Sequence, residues 1–283
     1  MLSVAWLLLV GCPKPAPVPM PDAAPRDLPA APPPRDDVQA VVWIQTSAEV
    51  DALTRTVYRA ARHSLDLALD DPTWTAAVEQ TGPLDGLTPA IVVDVDETVL
   101  DNSPYQARGV LDGTTFDKAT WAAWVAEARA PAVEGAAEFL GDAKARGVDV
   151  FYVSNRSVDQ EEATRQNLAA AGFPDTDDLD HFLFRPAEGD RSKTTRRKTI
   201  EETHRIVLLF GDNLFDFIEP DEPDVAARAA LIDEHADKWG ERWFMLPNPM
   251  YGSWDDAIHG YEHPDEATKH QQRKDALDPL RTP

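Results

Sequence analysis

Asp94 and Asp96 stand two residues apart, directly after the apolar, β-branched run Ile91-Val92-Val93. Two carboxylates at the tip of a rigid strand suit phosphoryl transfer. Asp94 is placed to attack phosphorus as the nucleophile. Asp96 is placed to protonate the leaving alkoxide and later to take a proton from water, which requires its carboxyl to hold a proton, as a neighbouring carboxylate would favour. Acidic groups facing an anionic substrate would repel it, and a hard divalent cation removes that conflict. Mg²⁺ takes a few carboxylate oxygens together with water and phosphate. Asp94 and Asp212 are the natural ligands, with the backbone carbonyl of Asp96 as a third and Asp216 orienting the set. The other phosphate oxygens need donors. Ser154 offers a hydroxyl, and the turn through Asn155 offers N–H groups. Arg191-Ser192-Lys193-Thr194-Thr195-Arg196-Arg197-Lys198 is the most basic stretch of the chain, and Lys193 is its phosphate-binding candidate.

These residues must be carried by a scaffold. Three apolar runs, 91–93, 148–153 and 206–210, each end in polar residues: Asp94 to Thr98, Ser154-Asn155-Arg156, and Gly211-Asp212-Asn213. A weaker run follows at 243–246. Helical stretches at 132–146, 158–171 and 194–204 separate them. This alternation predicts an α/β fold, a Rossmann-like parallel sheet covered by helices, with the polar endings converging beyond the carboxyl ends of the strands. A further helix is predicted over 48–69, opened by a capping box at Thr46-Ser47-Ala48-Glu49 and buried through Val50, Leu53, Val57, Ala60 and Ala61. The aromatic-rich stretch 100–131 (Tyr105, Phe116, Trp121, Trp124) reads as a smaller, mainly helical cap.

The 283 residues carry a net charge of -23, which argues against a nucleic-acid polymer as partner. No G-x-x-x-x-G-K-[ST] or G-x-G-x-x-G loop is present, so triphosphate and dinucleotide binding have no support. His259 and His263 stand at i, i+4, but without an HExxH glutamate they read as solvated surface rather than zinc ligands. The single cysteine, Cys12, excludes an intrachain disulfide. Residues 1–11 are an apolar run suited to a signal peptide, and Leu9-Val10-Gly11-Cys12 resembles a bacterial lipobox with Cys12 as the lipidation site. A Pro/Ala-rich tether over 12–37, a catalytic domain over 38–265 with a helical N-terminal part at 38–88, and a polar tail over 266–283 complete the expected organisation. The expected location is the cell envelope, at the outer membrane or cell surface, with the lipid anchor as the only membrane contact. Nothing in the sequence fixes an oligomeric state.

IVVDVDETVLDNSPY (91–105) and IVLLFGDNLFDF (206–217) resemble the two-part signature of bacterial class C acid phosphatases, lipoprotein enzymes of the haloacid dehalogenase (HAD) superfamily that include 5′-nucleotidases. FYVSNR (151–156), the RSK ending at Lys193, the pair Trp121 and Trp124, and PNPMYGSW (247–254) are similar to further segments of that family. The resemblance implies a small phosphomonoester substrate, Asp94 as nucleophile, Asp96 as acid/base, Ser154 and Lys193 on phosphate and Asp212 on Mg²⁺. It also implies that Trp121 and Tyr251 flank the leaving group, a nucleobase stacked between aromatic faces. A dehalogenase of the same fold would leave the second aspartate and the metal-binding acid idle. A non-catalytic ligand-binding lipoprotein would not require Asp94, Asp96, Lys193 and Asp212 together.

Overall fold

The computed structural model describes residues 35–186, 191–221 and 223–278. The lipobox, Cys12 and most of the tether lie outside the described residues. The chain runs α1 (Val38–Thr46), α2 (Ala48–Asp70), β1 (Thr88–Val93), α3 (Ser103–Asp112), α4 (Lys118–Ala126), α5 (Ala136–Ala145) and β2 (Asp149–Ser157). It continues through α6 (Glu161–Ala170), β3 (Phe182–Arg185), α7 (Lys193–Glu201), β4 (His204–Gly211), α8 (Val225–Glu234), β5 (Trp243–Met245), α9 (Ser253–Ile258) and α10 (Glu266–Asp275). The five strands form one parallel sheet in the order β3-β2-β1-β4-β5. The predicted α/β architecture is the observed one.

The central strands are apolar on both faces because helices cover both. Ile91 and Val93 of β1 join one core with Tyr152, Leu208 and Phe210, while Ala90 and Val92 join the other with Phe151, Val153 and Trp243. This two-sided burial is what continuous β-branched runs encode. Edge strand β3 escaped the sequence reading. It is four residues long, with Phe182 and Phe184 buried and Leu183 and Arg185 half-buried, so its signal is one short alternation.

Helix α2 begins where expected, with the Ser47 hydroxyl accepting from the Val50 N–H. Its buried face differs from the predicted one. Thr54, Tyr58, Ala61, Leu65 and Ala68 face inward, whereas Leu53 is 45% exposed. Tyr58 sets this phase. Its ring stacks on Phe210 at 5.4 Å and its hydroxyl donates to the Thr98 carbonyl at 2.6 Å, anchoring α2 to the turn after β1.

The 100–131 insertion leaves and returns at one point: the Asp101 N–H donates to the Pro131 carbonyl and the Val133 N–H to that of Val99. It holds α3 and α4, the latter capped by Asp117. The polar tail contains α10, whose Arg273 pairs with both Asp255 and Asp36. One expectation about the C-terminal region needs correction. His259 is buried rather than solvated, with Nδ1 2.7 Å from Gln272 Oε1 of α10.

Candidate active site

β1 ends one residue before Asp94, whose N–H is tied to the Phe210 carbonyl of β4 at 3.0 Å. The Asp94 side chain is buried, and its Oδ1 lies 2.5 Å from Lys193 Nζ. Lys193 opens α7. Ser192 caps that helix, and the Glu219 carboxylate accepts from the Ser192 hydroxyl and from the N–H groups of Lys193 and Thr194. An acidic clamp on a positive helix end holds the lysine in place.

The same Nζ lies 2.5 Å from Asp216 Oδ1. Asp216 reaches it from a 3-10 turn (Leu214–Asp216), where its other oxygen accepts the Asn213 N–H. Gly211 permits this fold-back, because a Cβ there would overlap the Asp216 carboxylate. Asp212, expected beside Asp94, is there: one oxygen from each of Asp94, Asp212 and Asp216 lies within 4.8 Å of the others. Asp216 therefore joins the candidate ligand set directly, where the sequence suggested only an orienting role. Asn248 donates to Asp212 Oδ2 at 2.7 Å, and its carbonyl end accepts from the N–H groups of Met250 and Tyr251.

Burial pushes the Asp94 carboxyl up to about 7; Lys193 opposes the rise, and Asp216 and Asp96 add to it. Asp212 is raised well above the usual range by burial and by the charges of Asp216 and Asp94. Lys193 is raised despite its burial, because Asp216 and Asp94 face it. Two buried carboxylates thus share one ammonium, with the half-buried Asp212 carboxylate beside them. The donor set is all hard oxygen and short of positive charge, and it fits a divalent cation of the Mg²⁺ or Ca²⁺ kind.

Asp96 lies in different surroundings. Arg156 Nε and Nη2 donate to it at 3.0 and 2.8 Å, and Asn102 Nδ2 at 2.8 Å. The groups bonded to it are a guanidinium and a carboxamide. Arg156 is aimed by an irregularity, since the β2–β3 register shifts between Ser154 and Ser157. Ser154 is fully buried, with its hydroxyl accepting from the Arg156 N–H. Asn155 is exposed, and its Oδ1 accepts from Arg196, which also holds the Ser154 carbonyl at 2.5 Å.

Trp121 and Tyr251 border this corner without touching each other in any ring contact among the described residues. The Arg156 guanidinium lies 5.4 Å from the Trp121 ring, which also packs edge-on against Tyr105. The Tyr251 hydroxyl donates to Glu97, a buried residue in the left-handed region at φ 58°. Burial and the Asp96 and Asp212 charges raise the Glu97 carboxyl well above its usual range. The sequence reading missed Asn102, Arg156, Glu97, Asn248, Arg196 and Glu219 as site residues. Four of them, Glu97, Asn102, Arg156 and Asn248, stand inside the quoted motifs, but their partners lie as far as 154 positions away.

A family model described as HAD superfamily, subfamily IIIB (Acid phosphatase), matches residues 30–254. The chain belongs to this family. The subfamily IIIB chain is 37% identical to the class C acid phosphatase of Bacillus anthracis, with a TM-score of 0.77 over 86% of this chain and 96% of that one. A structure of the Bacillus anthracis enzyme with tungstate bound gives a TM-score of 0.78 at the same identity and coverage. Among curated proteins, Acid phosphatase 1 of Solanum lycopersicum is 30% identical over 167 residues, covering 56% of this chain and 57% of that protein. A Stem 31 kDa glycoprotein of Glycine max is 27% identical over 163 residues, covering 56% and 58%. The chain spans little more than half the length of these curated relatives. The family resemblance read from the motifs is borne out.

Proposed function

We propose that the protein is a Mg²⁺-dependent acid phosphatase that hydrolyses small phosphomonoesters, nucleoside 5′-monophosphates among them, through an aspartyl-phosphate on Asp94. The observation that carries this reading is the buried cluster in which Lys193 bridges Asp94 and Asp216 beside Asp212. Asp94 holds a carboxylate oxygen at the end of a strand fixed from both sides, which orients it for in-line attack. Lys193 and the Ser154–Asn155 turn supply donors for the phosphoryl oxygens, and Arg196 keeps that turn against α7. Asp96, two residues on, gives a proton to the departing oxygen and takes one from the water that hydrolyses the intermediate. Asp94, Asp212 and Asp216 would hold the cation, which supplies charge neutralisation for the anionic substrate and transition state. Tungstate binding by the Bacillus anthracis enzyme supports a tetrahedral oxyanion as ligand.

The nucleotide preference rests on Trp121 and Tyr251, which border the Asp96 side of the site. Export and lipidation at Cys12, with anchoring at the cell envelope, belong to the same proposal and rest on the N-terminal pattern. Among the described residues no helix is long and apolar enough to cross a membrane.

The test is phosphate release from p-nitrophenyl phosphate and nucleoside 5′-monophosphates by the protein lacking residues 1–34, with Mg²⁺ or with EDTA. The cut stays ahead of Arg35 because Asp36 is bonded to α10. Turnover that needs the metal and favours nucleotides is the expected result. A folded protein inert toward every ester overturns the reading. Detergent-phase partitioning of the full chain, lost in Cys12→Ala, tests the anchor.

A further inference from the structure

The two oxygens of Asp96 are not equivalent. Arg156 Nε, Arg156 Nη2 and Asn102 Nδ2 all converge on Oδ1, at 3.0, 2.8 and 2.8 Å. Among the described residues Oδ2 has only the longer 3.3 Å contact from Arg156 Nε. The holding groups are themselves held. Arg156 is 3% exposed, and its Nη1 donates to the buried Thr164 hydroxyl at 2.8 Å. Asn102 is fully buried, and its Oδ1 accepts from Trp124 Nε1 at 2.8 Å and Arg156 Nη2 at 3.3 Å. Trp124 and Trp121 are one turn apart on α4. The first bonds Asn102 and the second faces the Arg156 guanidinium.

We infer that Arg156 and Asn102 are positioning residues that tether Asp96 through Oδ1 and leave Oδ2 as the proton-exchanging oxygen, with Trp124 tying that alignment to the seating of α4. The inference rests on the phosphomonoesterase reading. In the first step an Asp94 oxygen bonds to phosphorus as the bond from phosphorus to the ester oxygen breaks. The electron pair goes to that oxygen, the proton on Asp96 Oδ2 moves to it, and Asp96 is left as carboxylate. Three donors on one oxygen restrict rotation of the carboxyl group, so Oδ2 keeps a single direction.

Leaving-group dependence separates this role from a structural one. p-Nitrophenolate departs as a stable anion without a proton, whereas an alkoxide needs the acid. The variants Arg156→Lys, which keeps the charge and loses the fork, and Trp124→Phe, which removes one N–H and keeps the ring, are compared with wild type. The readout is kcat/KM for glycerol 2-phosphate and for p-nitrophenyl phosphate, which covers the steps up to departure of the alcohol. Arg156→Lys is expected to lose about tenfold more on the alkyl ester than on the aryl ester. Trp124→Phe should show about a threefold difference in the same direction. Equal losses on both esters, or none, overturn the inference while leaving the phosphatase reading intact. If Arg156→Lys loses its cooperative melting transition, Trp124→Phe decides alone. A wild type that releases phosphate from neither ester overturns both readings.

Discussion

The Asp94 and Asp96 corners lie two residues apart in the chain and are built on opposite principles. Around Asp94, two buried carboxylates and a half-buried one cluster about one lysine, and desolvation drives the Asp94 and Asp212 carboxyls upward. Around Asp96, a buried arginine and an asparagine answer one carboxylate, and aromatic groups of the cap secure both. The first corner is anchored by β1, β4 and the start of α7; the second depends on the bulged end of β2 and on α4. A corner left short of positive charge is poised to take up a cation and an anionic ester together. A corner whose hydrogen bonds are already committed keeps direction rather than affinity. The same residue type serves two purposes because its surroundings differ.

The largest test of that contrast is Asp94→Asn. It should lower phosphate release at least about 10³-fold. In metal-free buffer its melting temperature should not fall, since the change removes a carboxylate that burial disfavours. A clear loss of stability would break the view that this corner is electrostatically strained. Asn248→Ala takes away the donor that orients Asp212, so Mg²⁺ affinity should weaken about 10- to 100-fold by calorimetric titration. The Asp96 corner should be barely touched by that change, and the preference between aryl and alkyl esters should stay as in wild type.

Smaller effects lie in the frame that carries both corners. Asp175 lies beside the start of β2, where its carboxylate accepts from the Val150 N–H at 2.9 Å. Although burial opposes it, His181, Lys144 and the Val150 N–H hold its carboxyl down at about 2, from an ordinary 3.8. A depressed acid contributes stability above its unfolded value and loses it as pH falls through the folded one. Asp175→Asn should therefore cost about 1–2 kcal/mol near neutrality, a difference that shrinks as pH falls from 3.8 toward 2 in denaturant titrations. Tyr58→Phe should cost about 1 kcal/mol by removing the bond to the Thr98 carbonyl, with little change in the choice of substrate.

The sheet was legible because a strand buried on both faces needs a continuous apolar run, and three of its five strands have one. The edge strand β3 and the buried face of α2 were not. Four residues carry too little periodicity, and the stripe through Leu53 lost to the one through Tyr58, whose partners Phe210 and Thr98 come from elsewhere in the chain. The helix within the polar tail was not legible, because its folding partners, Asp255 and Asp36, are themselves charged.

By itself the sequence determined which residue types could do chemistry and that they would end strands, since motif and apolar run are both local. It singled out Asp94, Asp96, Ser154, Lys193 and Asp212 in this way. Tertiary structure alone decided that Asp216 shares the lysine with Asp94, that Arg156 and Asn102 grip one oxygen of Asp96, and that Asn248 turns toward Asp212. The physical reason is range. Strand and helix preferences act over a few residues, whereas a hydrogen bond or ion pair is decided by a few ångströms in space between groups far apart in the chain, 60 positions for Arg156 and Asp96.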